Sequence, residues 1–329
     1  MTDHVLSIED LSVTFQLHDS EVHAVREMNF KLRAGETLAV VGESGSGKSQ
    51  AFLSIMGLLA KNGRASGRAM LGDLNLVGMD KRRLDGVRGK DIAMIFQDPM
   101  TSLNPSLKVK AQLAEVLVKH RGFDRRQAER TAIEMLERVG IPEPAKRANA
   151  YPHEMSGGMR QRVMIAMALL CQPKILIADE PTTALDVTVQ AQMLDLFKNL
   201  TTDFGTSLVL ITHDLGVVAG VADRMMVMYA GRAVEKGTVD ELFYNPRHPY
   251  TLGLLHSTPH IAQRATRLDP IQGLPPSLEH LPKGCSFNPR CSFCFDRCLE
   301  ERPPLIDTGN GREKACWYEG PMRYEQKVA

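Results

Sequence analysis

Two short runs in this sequence carry most of its capacity for chemistry. The first, Gly42-Glu43-Ser44-Gly45-Ser46-Gly47-Lys48-Ser49, fits the pattern G-x-x-x-x-G-K-[ST] of a phosphate-binding loop. Its glycines let the backbone curl so that successive N–H groups point at phosphate oxygens. A helical run beginning near Ser49 adds the partial positive charge of a helix N-terminus. Lys48 would set an ammonium against the β- and γ-phosphates, and Ser49 offers a hydroxyl to Mg²⁺. A chance glycine turn is the plain alternative, but it leaves the flanking strand and helix unexplained. The second run, Ile175-Leu176-Ile177-Ala178-Asp179-Glu180, is an apolar stretch ending in two carboxylates. A buried strand with such an end needs a counter-charge. Mg²⁺ with a bound nucleotide would supply it, through water or directly at Asp179. Glu180 would then polarise a water in line with the γ-phosphate. Read alone, the pair could equally cap the turn at Pro181.

These residues need a frame. Thr37–Val41, Ile92–Phe96, Ile175–Ala178 and Leu208–Thr212 are short apolar runs that predict buried strands. They end in Gly42, Gln97, Asp179 and His213 respectively. In a parallel α/β sheet ligands gather at the carboxyl ends of the strands, so four such ends form one coherent site. Residues 5–15 mostly alternate and predict a half-exposed strand. From Arg125 to Val139, Ala128, Ala132, Met135, Leu136 and Val139 recur at helical spacing. A helical subdomain is therefore placed at about 104–170. The expected domains are a nucleotide-binding domain over 1–255 and an extension over 256–329. A proline-rich stretch from Asn245 to Pro282 leads into a cysteine segment. No internal repeat is visible, so the chain carries one set of motifs.

Bulk composition narrows the class. The chain has 329 residues, 43% of them apolar, enough for a large domain and a smaller one. Forty basic residues against 39 acidic ones leave a formal charge of +1, which gives no electrostatic case for nucleic acid as a partner. The run Lys81-Arg82-Arg83 reads as solvated surface. The start lacks the basic and apolar regions of a signal peptide. The longest apolar run, Val163 to Cys171, is about half of the ~20 residues a membrane span needs. A soluble protein is expected, with any membrane role carried by partners.

A third motif gives the family. Met155-Ser156-Gly157-Gly158-Met159-Arg160-Gln161-Arg162 resembles the ABC signature, with Met155 and Met159 departing from its usual Leu and Gln. It opens an apolar helical run, so Ser156 and the N–H groups of Gly157 and Gly158 stand at a helix N-terminus suited to an anion. With the phosphate loop, Gln97, Asp179-Glu180, Ala184-Leu185-Asp186 and His213, the chain resembles an ABC transporter nucleotide-binding subunit over about residues 5–250. That resemblance implies an ABC ATPase core of the P-loop class. It would be a mostly parallel sheet flanked by helices, with an antiparallel β edge, a helical subdomain and a small cysteine-rich extension. It further implies that the signature grips the γ-phosphate of ATP bound to an opposite subunit. His213 contacts the γ-phosphate, and Gln97 links the Mg²⁺ region to membrane subunits. Asp186 communicates across the dimer, and Phe15 stacks on adenine. Phe15 lies a few residues upstream of the usual place, and an edge-strand core residue is the other reading of it.

Gln97 to Pro105 and Asn245-Pro246-Arg247-His248-Pro249-Tyr250-Thr251 look like stretches of the oligopeptide and dipeptide importers. The nearest match is the first of the two ATP-binding subunits of a dipeptide importer. The implied partners are a related second ATP-binding subunit, two membrane-spanning permeases and a periplasmic peptide-binding protein. The implied location is the cytoplasmic side of a bacterial inner membrane. Nickel or another small solute is the alternative cargo, and a soluble, non-transport ABC ATPase is the alternative class.

Five of the six cysteines are spaced Cys285-x₅-Cys291-x₂-Cys294-x₃-Cys298-x₁₇-Cys316. Thiols at this density suit zinc or an iron–sulfur cluster, and reduced unligated thiols are the third reading. The importer extension carries four cysteines matching Cys285, Cys291, Cys298 and Cys316, which implies a [4Fe–4S] cluster, with Cys294 extra. None of the nucleotide motifs lies in this segment, so the cluster is expected to play no part in hydrolysis. The sixth, Cys171, reads as core.

Overall fold

The computed structural model describes residues 4–97, 102–182, 187–257 and 271–322. Asp98 to Thr101 of the importer-like stretch and Ala184-Leu185-Asp186 lie outside the described residues. The chain divides into two compact units. The first comprises Met1–Leu6, Leu32–Thr37 and Met79–Ile211; the second comprises Ser7–Lys31, Leu38–Gly78 and Thr212–Ala329.

In the first unit, strands β6 (Ile92–Ile95), β7 (Ile175–Asp179) and β8 (Ser207–Thr212) run parallel. The register pairs Ile92 with Ile175 and Ile177 with Val209. Every residue of β7 and β8 is buried, as expected of parallel strands covered on both faces. Helices follow at Val109–Arg121, Arg125–Arg138 and Gly157–Leu169. Asp124 starts the second of these, its carboxylate accepting from the Gln127 N–H at 2.9 Å. Ala128, Ala132, Met135 and Leu136 are its buried face, the residues the helical spacing selects. Cys171 is fully buried, and Lys81, Arg82 and Arg83 are exposed on the helix Lys81–Val87.

In the second unit, β3 (Thr37–Val41) runs parallel to β9 (Arg224–Tyr229), and β9 turns back into β10 (Arg232–Thr238). The turn is the pair Ala230-Gly231, both at positive φ, the geometry that suits the twist of a two-residue hairpin. Two short tail strands, β11 (Ile306–Asp307) and β12 (Glu313–Lys314), add antiparallel beyond β10. They are pinned by a buried ion pair at 2.9 Å, Arg312 on β10's Glu235. Glu235 also accepts from the N–H groups of Arg247 and His248. A second sheet has the order β2-β1-β4-β5, built from His4–Gln16 (β1), Glu21–Arg33 (β2), Gly63–Leu71 (β4) and Leu74–Asn75 (β5). The core of this unit joins strand residues Ala39, Val41 and Val227 to Tyr229, Tyr250, Leu255 and the tail's Phe287. The tail is thus folded onto the unit through an aromatic side chain. Among the described residues no helix is long and apolar enough to cross a membrane.

Candidate nucleotide site

Each unit carries its own set of the residues singled out above. In the second, the loop Gly42–Ser49 leaves β3 and enters the helix Lys48–Ile55, with Gly47 as N-cap at φ +93. A Cβ at Gly47 would collide with the carbonyl oxygen of Ala24, and one at Gly42 with that of Met228. Both positions therefore require glycine. Lys48 is nearly buried, and its Nζ donates to the carbonyls of Gly42 (2.7 Å) and Glu43 (2.9 Å) and to Ser46 Oγ at 3.4 Å. Ser44 and Gly45 are exposed, Ser46 is buried and Ser49 is half-buried. The loop thus holds a buried ammonium at a helix start, with exposed backbone beside it. This arrangement fits the phosphates of a nucleotide.

His213 is exposed just past β8, beside Asp214, which caps the helix Leu215–Val221 by accepting from the Gly216 N–H at 2.8 Å. Phe15 is half-buried on β1, and its ring occupies the space a side chain at Gly63 would need.

In the first unit, Asp179 is buried at the end of β7 and Glu180 follows at φ +46, left-handed for a residue with a side chain. The Glu180 N–H donates to the Ile211 carbonyl at 2.8 Å, and its carboxylate accepts from Gln97 Nε2 at 3.1 Å. Two strand ends read separately from the sequence are therefore brought together. Ser156 is the N-cap of the helix Gly157–Leu169 and its Oγ accepts from the Met159 N–H at 3.3 Å. Ser156 and Gly157 are exposed. A Cβ at Gly157 would meet nothing within 4 Å, and one at Gly158 only Val189 Cγ1 at 3.8 Å.

The cysteines behave differently from the expectation. Cys285, Cys291, Cys298 and Cys316 line one small cavity with Phe287, Phe293 and Trp317, and Cys294 is not among the lining residues. All are free thiols. Burial pushes Cys285 up, Cys291 up to about 12 and Cys316 up to about 11, which keeps these thiols neutral at pH 7. Among the described residues no group of three or more His, Cys, Asp or Glu is close enough to hold a metal. The four cysteines expected as cluster or zinc ligands thus converge on one cavity.

Sequence reasoning also missed a contact. Arg290, between Cys285 and Cys291, reaches the phosphate loop. Its guanidinium takes the Glu43 carboxylate bidentately, Nη1 to Oε2 at 2.6 Å and Nη2 to Oε1 at 2.9 Å. Tyr250, from the importer-like stretch, accepts from the Glu43 N–H at 2.8 Å. The tail therefore contacts the phosphate loop through Arg290. An exposed-looking Glu in the loop and an Arg amid cysteines were the only signals, 247 residues apart.

The model of the ABC transporter family matches residues 25–183, and that of the C-terminal region of oligopeptide and dipeptide transporters matches 234–298. The chain is 52% identical over 313 residues to the oligopeptide transport ATP-binding protein OppD of Haemophilus influenzae, covering 95% of this chain and 97% of the relative. It is 53% identical to OppD of Salmonella typhimurium, covering 95% and 93%. Among solved structures it resembles the dimeric post-hydrolysis state of the ATP-binding cassette MJ0796 bound to ADP and Pi, with a TM-score of 0.64 and 28% identity, over 71% of this chain and 98% of that one. Similarity of this depth over nearly the whole length places the chain in the ABC transporter family, among the ATP-binding subunits of the oligopeptide and dipeptide importers.

Proposed function

We propose the following division of labour within this importer ATPase. The loop residues Gly42, Ser44, Gly45, Ser46 and Gly47 offer backbone and hydroxyl donors to the phosphates of ATP. Lys48 turns its ammonium to the β- and γ-phosphates, and Phe15 stacks on the adenine. Ser49, Asp179 and Gln97 hold Mg²⁺, which when bound neutralises charge on the phosphates. Glu180 polarises the attacking water and takes up its proton, while His213 contacts the γ-phosphate. Ser156, Gly157 and Gly158 serve ATP held by a second chain. The observation that carries this reading is the phosphate loop itself: two obligatory glycines and a buried Lys48 at a helix start. The hydrogen bond from Gln97 to Glu180 supports the assignment of the water-polarising carboxylate.

ATP turnover drives uptake of peptides, and the names of the relatives favour oligopeptides. Its partners are a related second ATP-binding subunit in a heterodimer, two permeases and a periplasmic peptide-binding protein. The chain sits on the cytoplasmic face of the inner membrane. Its domains divide at about residue 255, with the helical subdomain at about 104–170. In the tail, Cys285, Cys291, Cys298 and Cys316 hold a [4Fe–4S] cluster; their convergence on one cavity supports this. Metal analysis of anaerobically purified protein tests it, with about four irons and matching sulfide per chain expected. One zinc, or no metal, would replace that reading.

The main test uses the assembled importer in vesicles. Glu180→Gln is expected to bind ATP like the parent but to lose peptide uptake, with hydrolysis reduced by about 100-fold or more. Hydrolysis at the parental rate would refute the role of Glu180.

A further inference from the structure

Every polar group of Glu43 is engaged. Its N–H goes to Tyr250, its carbonyl accepts from Lys48, and its carboxylate takes both terminal nitrogens of Arg290. Arg290 is itself fixed. Its side chain is only 4% exposed, its Nε donates to the Gln272 carbonyl at 3.1 Å, and its guanidinium faces the rings of Tyr229 and Phe287. The hydrogen bond to Glu43 holds the guanidinium in its charged form more firmly than usual. Tyr229, Tyr250 and Phe287 in turn pack on one another with ring centroids 4.6 to 5.4 Å apart. The clamp on Glu43 is therefore rigid and rooted in the tail.

The charges have a direct consequence. Glu43 places a carboxylate in the loop that must receive a polyanion, and its charge opposes that of Lys48. Without Arg290 the two cancel; with Arg290 the loop keeps a net positive charge. We propose that Arg290 is a positioning residue for nucleotide binding, which fixes Glu43 and cancels its charge so that Lys48 is left to meet phosphate. The C-terminal extension is on this view part of the ATP-binding apparatus. The proposal rests on the reading of Gly42–Ser49 as the phosphate site.

The test measures ATP affinity of the full chain by calorimetry, with thermal unfolding alongside, and the KM for ATP of the assembled importer. Arg290→Gln leaves the carboxylate uncompensated and is expected to weaken ATP binding about tenfold or more, raising KM with little change in kcat. Arg290→Lys keeps the charge and is expected to recover part of that loss. The double variant Glu43→Gln/Arg290→Gln removes both charges and is expected to bind within about threefold of the parent. A residue that only folds the tail would give no such rescue. A smaller loss in Arg290→Gln, or a double variant no tighter than the single one, overturns the proposal. If Arg290→Gln does not fold, the double variant still decides, and a loss beyond about threefold overturns it. Lys48→Ala separates the two readings. Parental ATP binding in that variant sinks the phosphate-loop reading and this proposal with it. Lost binding there beside full binding in Arg290→Gln sinks this proposal alone.

Discussion

The phosphate loop and the signature turn both present glycines and N–H groups at the start of a helix, yet their glycines are there for opposite reasons. Gly42 and Gly47 are dictated from within, because a side chain would strike the carbonyls of Met228 and Ala24. Gly157 and Gly158 are dictated by nothing among the described residues, since open space or ordinary contact surrounds them there. A glycine that the fold requires shapes a site for the chain's own ligand. On the proposed role of the signature turn, a glycine that the fold does not require would keep a surface clear for a second chain's nucleotide, and Ser156 and Gly157 are exposed.

Substitution by alanine is the sharpest way to break this comparison. Gly47→Ala combines left-handed backbone strain with a steric clash, and the Kd for ATP should rise by roughly 100-fold or more, read by calorimetry. Gly157→Ala should do the reverse in the isolated chain. Ala is the better helix former, so thermal stability should rise slightly, by up to about 1 kcal/mol, with ATP affinity unchanged. The cost appears only in the assembled importer, whose ATPase rate should fall about tenfold as the added methyl group intrudes on the second chain's nucleotide. An ATPase rate left intact would mean that the surface is not kept clear for a partner. Ser156→Ala removes the N-cap and should cost about 1 kcal/mol of stability by urea unfolding.

A further effect concerns pH. His248 starts the helix Pro249–His256, its Nδ1 accepting from the N–H of Tyr250, the residue that holds Glu43. Burial lowers its pKa to about 3, with the charge of Lys314 adding to the effect. The unfolded chain, with an ordinary His, therefore binds the proton first as pH falls through 6.5. Stability from this group is complete above about pH 6.5 and declines toward pH 3, by about 2 kcal/mol between pH 7 and 5. His248→Asn keeps a capping acceptor and should flatten that slope in thermal unfolding. The slope should remain unchanged in Ser156→Ala, since the signature turn lies in the other unit.

What was legible in the sequence follows the range of the interactions. Thr37–Val41 is the strand as predicted, and Ile92, Ile175 and the Leu208 run fall within β6, β7 and β8, because buried parallel strands are written as local apolar runs. The helix predicted over Arg125–Val139 ends at Arg138, one residue early. The glycines of the phosphate loop are legible for the same reason: their constraint is local turn chemistry. Arg290 was not legible, since an Arg between cysteines signals nothing until folding carries it to Glu43. The cysteines were legible as a group facing one place, but spacing does not tell packed thiols from ligands. The strands β9 and β10 were also missed. Their residues Met225 to Tyr229 alternate little, and Glu235 and Lys236 look like surface until Arg312 and Glu313 arrive to pair with them.

The left-handed backbone at Glu180 carries an evolutionary implication. A side chain in that conformation costs on the order of 1 kcal/mol, and glycine would remove the cost. Mutational drift therefore has a downhill route in stability away from this carboxylate. On the proposed role of Glu180 in hydrolysis, a glutamate kept at such a position would be held by selection for turnover. In a pair of unequal ATP-binding subunits, the one first released from that selection would be expected to lose its carboxylate here before any of the loop glycines, whose removal breaks the fold around them.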